Sequence, residues 1–115
     1  MKILIIDDNE PICLVTKFIL EIRHDEVVTI TRPGELDEAL LKFNPGLILL
    51  DIQLGGYDGR DLCRQIKTKP DAPYVILFSA NAHLLANYEN YGADATLAKP
   101  FSLKQLHTMV ESFET

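Results

Sequence analysis

An α/β fold, built on a five-stranded parallel sheet with helices on both faces, is what this sequence predicts, and three observations predict it. Five short runs rich in Ile, Leu and Val punctuate the chain: KILII at 2–6, EVVTI at 26–30, GLILL at 46–50, YVILF at 74–78 and ATLA at 95–98. They are continuous rather than alternating, the pattern of strands covered on both faces. Segments with helical spacing and helix-start signals separate them, and such alternation of strand and helix produces parallel sheets.

The elements follow in order. The first strand stops at adjacent carboxylates, Asp7 and Asp8. Asn9 then caps a first helix from about Glu10 to Glu21, with Pro11 tolerated in the first turn, where its missing N–H has no partner to lose. Ile12, Val15, Ile19 and Ile22 give that helix an apolar stripe. After the second strand, Pro33 opens a second helix through Phe43. The third strand leads into Asp51, and Asp58 caps a third helix through Lys67. A fourth helix is expected over His83 to Asn90, closed by Gly92. The fifth strand leads into Lys99 and Pro100. Ser102 with Gln105 then forms a capping box, opening a last helix with Leu103, Leu106, Val110 and Phe113 on one face. Neither repeats nor linker-like stretches interrupt the pattern, so the expected domain is 1–115.

Composition narrows the function. The 115 residues provide for one packed core, and 47% hydrophobic with 24% charged residues is ordinary for a globular chain. Seventeen acidic against eleven basic residues give a net charge of -6 and a pI near 4.9. This argues against gripping nucleic acid and suits a partner with a basic contact surface. The apolar runs are too short for membrane insertion and the N-terminus lacks signal-peptide features, so a cytoplasmic location is expected. Cys13 and Cys63 fall on different helices without metal-type spacing and read as small buried hydrophobes. His24, His83 and His107 are scattered and read as surface residues.

Chemistry gathers at the strand ends. In an open parallel sheet, ligands sit beyond the carboxyl ends of the strands, where the strand order reverses. There this sequence places Asp7 and Asp8, Asp51, Ser79 and Lys99. Each has a plain structural reading taken alone: helix caps for the aspartates of the first strand, a loop carboxylate, a turn hydroxyl and a solvated lysine. Together they favour function. Three converging carboxylates repel one another unless a cation offsets them. Magnesium suits the task, being held by one or two carboxylates, waters and phosphate oxygens. Lys99 and the Ser79 hydroxyl are groups that hold an anionic phosphoryl oxygen. Positioning and charge neutralisation are what phosphoryl transfer needs.

The stretches IIDDNE, LILLDIQLGGYDG, FSA and AKPF, in this order and spacing, resemble the receiver domain of two-component response regulators of the single-domain, chemotaxis type. The resemblance covers essentially the whole chain. It implies a doubly wound, flavodoxin-like sheet with strand order 2-1-3-4-5. Asp51 would be the phosphoacceptor, attacking a phosphohistidine on a sensor histidine kinase or histidine phosphotransfer protein. Mg2+ would be held by Asp8, by Asp7 at least through water, by Asp51 and by the backbone carbonyl of Gln53. Ser79 and Lys99 would contact phosphoryl oxygens, helped by the backbone N–H groups of Gln53 and Ala80. The resemblance further implies signalling with autodephosphorylation rather than turnover. An output protein or domain would read the surface of the fourth helix, fifth strand and last helix, and a homodimer would use the same surface. In the family the Lys-Pro bond is frequently cis.

Two positions depart from the family pattern. The switch residue that works with Ser79 is usually aromatic, and here it is Thr96, which leaves Tyr88 and Tyr91 as rings to stand in. Gly55 replaces a common proline and with Gly56 makes a looser loop. Gln53 and Asn81 flank the path of an attacking water. Two other readings stay open at this point. A magnesium-dependent phosphatase of the haloacid dehalogenase type resembles the set, but would want a second aspartate where Gln53 stands. A pseudo-receiver would bind partners without phosphorylation, although the full acidic, serine and lysine set argues against it.

Overall fold

A computed structural model describes residues 1–114. The apolar runs form β1 (Lys2–Ile6), β2 (Glu26–Ile30), β3 (Leu47–Asp51), β6 (Tyr74–Ser79) and β7 (Ala95–Ala98). All pair in parallel, in the order β2-β1-β3-β6-β7. Counted over these five strands, this is the predicted 2-1-3-4-5 order. The reversal between β1 and β3 opens the crevice expected of a doubly wound sheet.

Side chains alternate across the sheet and give each face its own core. On one side Leu4, Ile6, Ile48, Leu50, Val75 and Leu77 pack under the helices α2 (Leu36–Phe43) and α3 (Gly59–Ile66). On the other, Ile3, Ile5, Leu47, Leu49, Ile76 and Phe78 pack under α1 (Glu10–Ile22) and α4 (Leu103–Glu111). Burial on both faces explains why the strands read as unbroken apolar runs.

Capping chemistry placed the helices as the sequence indicated. The Asn9 side chain accepts from the Ile12 N–H, Asp58 accepts from the Arg60 N–H, and Ser102 and Gln105 complete their capping box. Pro33 opens a short 3-10 turn, Pro33–Glu35, that leads into α2. The α2 C-cap is Asn44 in the left-handed conformation at φ 50°, which Asn tolerates better than most side chains.

Five expectations are corrected. The fourth helix, expected over His83 to Asn90, is absent; two 3-10 turns, Ala82–Leu85 and Tyr88–Tyr91, stand there instead. Ala86 is extended and Asn87 is left-handed at φ 58°, so the backbone breaks before a helical ladder can form. The predicted output surface of fourth helix, fifth strand and last helix therefore contains β7 and α4 but no α-helix between β6 and β7. In α1 the buried face is Cys13, Thr16 and Leu20, whereas Val15 and Ile22 of the predicted stripe are exposed. The helix is apolar around most of its circumference, and several stripes satisfy the same period. In α4, Leu106 and Val110 are buried but Leu103, in the first turn, is exposed. His107 is half-buried, its Nε2 2.9 Å from the Ile19 carbonyl, and ties α4 to α1. The glycine-rich stretch after Asp51 closes as a hairpin of β4 (Gln53–Leu54) and β5 (Tyr57–Asp58), with Gly55 at φ +59° in the turn.

Candidate functional site

The carboxyl ends of β1, β3, β6 and β7 bring five predicted residues together. Asp7 continues the line of β1, its N–H donating to the Ile30 carbonyl at 3.2 Å, and it is completely buried. Its Oδ1 accepts the Asn9 N–H at 3.0 Å and its Oδ2 accepts the Lys99 ammonium at 2.9 Å. Asp8, next in sequence, points out and is exposed. Asp51, the last residue of β3, is buried; its Oδ2 accepts from Lys99 at 3.3 Å and its Oδ1 from the Gln53 N–H at 3.3 Å. Ser79 ends β6, buried, with its Oγ accepting the Asn81 N–H at 3.0 Å. The Lys99 N–H donates to the Ser79 carbonyl at 2.9 Å, which fixes the lysine to the end of β6. The Lys99–Pro100 peptide is cis, and the exposed Ala80 follows directly on Ser79.

Asp7, Asp8 and Asp51 each offer a carboxylate oxygen within 4.8 Å of the others. An all-oxygen set, two members buried and one open to water, fits a hard divalent cation that retains part of its hydration shell. One ammonium cannot balance three carboxylates. Burial, and then the Asp7 charge, push the Asp51 carboxyl up to about 6, with Lys99 pulling the other way. The ionised form of Asp51 thus still prevails at neutral pH.

Several residues that shape the site carried no chemical signal in the sequence. Gly59 is the plainest: a Cβ there would lie 2.0 Å from the Asp51 carbonyl oxygen. The Gly59 N–H donates to the neighbouring Ile52 carbonyl, so α3 starts hard against the backbone that carries Asp51. The signal available was only that Gly59 follows a capping aspartate. Asp58 is clasped by Arg60, with Nη2 to Oδ2 at 2.8 Å and Nε to Oδ1 at 3.1 Å, and this pair holds its carboxyl below the usual range. Phe78 lies beneath Lys99, whose Nζ is 4.5 Å from the ring centroid. Cys13 donates its Sγ–H to the Asp7 carbonyl at 3.3 Å. Burial pushes that thiol up to about 11, so it is no nucleophile at neutral pH.

The position expected to switch lies elsewhere. Thr96 is half-buried in β7, opposite Leu77. Its strand neighbours Ala95 and Leu97 both pack with the α1 and α4 core, so the alternation turns Thr96 to the α2 and α3 side. Neither tyrosine is free to replace a ring there. Tyr91 lies under the Arg60 and Arg64 guanidinium groups, at 5.4 and 4.7 Å, and Tyr88 packs against the α2 and α3 core.

Residues 3–111 match the family model of the response regulator receiver domain. The chain belongs to the response regulator receiver domain family. Solved structures agree with it. A CheY-like response regulator receiver domain protein from Methanospirillum hungatei JF-1 is 29% identical with a TM-score of 0.88, covering 96% of this chain and 90% of that one. A two-component response regulator from Clostridium difficile is 27% identical at TM-score 0.89, covering 98% and 94%. NtrX from Brucella abortus, in complex with ADP, is 28% identical at TM-score 0.89; the match covers 97% of this chain and 26% of that larger one. A receiver is a signalling domain and not a turnover enzyme in the ordinary sense. Among the described residues of this receiver, no helix is long and apolar enough to cross a membrane.

Proposed function

We propose that this receiver accepts a phosphoryl group on Asp51 from the phosphohistidine of a sensor histidine kinase or histidine phosphotransfer protein. The observation that carries the reading is the Lys99 ammonium bridging Asp7 and Asp51, at 2.9 and 3.3 Å, beside the exposed Asp8 at the switch point of the sheet. A carboxylate oxygen of Asp51 attacks phosphorus, the phosphorus–nitrogen bond breaks, and its electron pair returns to the donor imidazole, which takes up a proton. The product is an acyl phosphate. Mg2+ held by Asp8, Asp51, the Gln53 carbonyl and, through water, Asp7 would supply charge neutralisation to the phosphoryl oxygens. Lys99 adds a fixed ammonium on the same oxygens, while Ser79 and the N–H groups of Gln53 and Ala80 orient them. Ser79 and Thr96 are the family's switch positions, of which Ser79 alone lies at the site. Water entering past Gln53 and Asn81 returns Asp51 to the free carboxylate by autodephosphorylation.

A partner with a basic contact surface suits a chain of net charge -6. The output protein or domain, or a second copy in a homodimer, would meet β7 and α4. Two buried free cysteines suit the reducing cytoplasm. The haloacid dehalogenase reading has lost its support, since the family match is to receivers and Gln53 stands where a second carboxylate is needed. The test is intact-mass measurement after incubation with magnesium and a small acyl phosphate. A single phosphoryl addition, absent from Asp51→Asn, is expected; no addition, or equal addition to the variant, refutes the proposal.

A further inference from the structure

The rings near the expected switch position are already engaged. Tyr91 lies under two arginines of α3 and Tyr88 is packed on the α2 and α3 core. The segment that carries them is anchored where Asp94 accepts both the Lys67 ammonium and the Val75 N–H, each at 2.9 Å. Thr96 contributes no ring. On the other side of the sheet an unbroken aromatic path leaves the site. Lys99 touches the two buried carboxylates and also lies over Phe78 at 4.5 Å from the centroid. Phe78 meets Phe101 edge to face, with centroids 6.2 Å apart and planes at 65°. Phe101, with Pro11, Ile12, Val15 and Ile19, lines an apolar groove of about 440 Å³ against α1. The outer face of α1 beside it exposes Leu14, Val15, Phe18 and Ile22.

We propose that the phosphorylation state of Asp51 is relayed to the α1 groove through Lys99, Phe78 and Phe101, and not through position 96. The relay rests on the phosphoacceptor reading of Asp51. Phosphorylation replaces the single carboxylate charge with nearly two negative charges, a net gain of about one, on oxygens that project outward from β3. The ammonium follows that charge, and its position over the Phe78 face changes. A cation–π contact depends steeply on where the cation sits over the ring. Phe78 is fixed, almost wholly buried among its neighbours, whereas Phe101 is half-buried at the mouth of the groove. The ring that responds is therefore Phe101. A contact of this kind, gained or lost, changes a ring equilibrium by about tenfold, enough to open or fill the groove.

The chain contains no tryptophan, so Phe101→Trp gives a single indole at the reporting position and Tyr88→Trp gives one on the conventional side. Each is treated with magnesium and a small acyl phosphate, and phosphoryl occupancy is read by intact mass on the same samples. The expected result is an emission shift in Phe101→Trp that rises with occupancy, and none in Tyr88→Trp. Adding Thr96→Ala to Phe101→Trp should leave the shift in place, and adding Phe78→Leu should abolish the shift when samples are compared at equal phosphoryl occupancy. Should Phe78→Leu not fold or not take up the phosphoryl group, the comparison of the two tryptophan positions decides alone. Full occupancy with no shift at position 101, loss of the shift with Thr96→Ala, or a shift at position 88 only, overturns the relay and leaves the phosphoacceptor reading standing. No phosphoryl mass on the unsubstituted protein overturns both.

Discussion

Replacing Asp51 with Asn should make the metal-free protein more stable, although it removes a buried ion-pair partner of Lys99. The carboxyl has an ordinary value of 3.8 and is pushed up to about 6 in the fold by burial and by the Asp7 charge, with the opposing pull of Lys99 already included. A group whose folded value is raised binds its proton more tightly in the native state. Its ionised form therefore costs stability above about pH 6, and the cost fades as pH falls toward about 4. The gap of roughly two units corresponds to about 3 kcal/mol at neutral pH, an upper figure because the amide is not a perfect copy of the protonated acid. For a domain of this size that is on the order of 10 °C in the thermal midpoint. The assay is urea unfolding of the wild type and Asp51→Asn in the presence of a chelator, repeated from about pH 8 down to about pH 4.5. The variant should lead at high pH, and the lead should shrink on acidification. A variant less stable than the wild type at about pH 8, or a gap that widens as pH falls, would refute the reasoning.

Three further substitutions test other parts of the structure. Gly59→Ala forces a Cβ into the Asp51 carbonyl oxygen; overpacking of this kind costs about 1–3 kcal/mol, and phosphoryl uptake measured by intact mass should slow with it. Lys99→Met strands two buried carboxylates and should cost roughly 3–5 kcal/mol in denaturant unfolding, with much of the loss recovered when Asp51→Asn is added. In α1, Leu20→Ala should cost about 2–5 kcal/mol by thermal or urea unfolding, whereas Val15→Ala on the exposed face should change stability by about 0.5 kcal/mol or less. The reverse order would restore the stripe that the sequence suggests.

What could be read in advance was what depends on local rules. Strands buried on both faces must be apolar throughout, and caps must carry an oxygen, so β1, β3, β6 and the starts of α1, α3 and α4 were visible without any tertiary information. The site residues were visible because polar groups at the ends of such strands have few structural reasons to be there. The misreadings share a different cause. The face that α1 buries is settled by the sheet and α4, and a helix with apolar residues at 12–15 and 18–20 offers more than one candidate. Whether residues 82–91 coil into a helix depends on Asn87 taking a left-handed conformation and on Tyr91 finding Arg60 and Arg64. Gly59 and Phe78 matter through what they touch, and a contact leaves no mark on spacing.

The electrostatics of the site then follow from arithmetic on four groups. Asp7, Asp8 and Asp51 bring three negative charges to one sheet edge and Lys99 brings one positive charge, which leaves a deficit of two. Lys99 is mostly buried, and it is held by two carboxylates at once, so it has no freedom to serve Asp8 as well. Asp8 faces water, where its charge is cheap to keep. The deficit is therefore concentrated on the buried pair, and Asp51 carries it as a raised affinity for protons. The same deficit is a raised affinity for any hard cation that reaches Asp8 and Asp51 together, since proton and cation relieve one repulsion. The repulsion that costs stability at Asp51 is thus the same repulsion that favours a cation there. An amide at position 51, which removes the repulsion, must lower cation affinity as it raises stability.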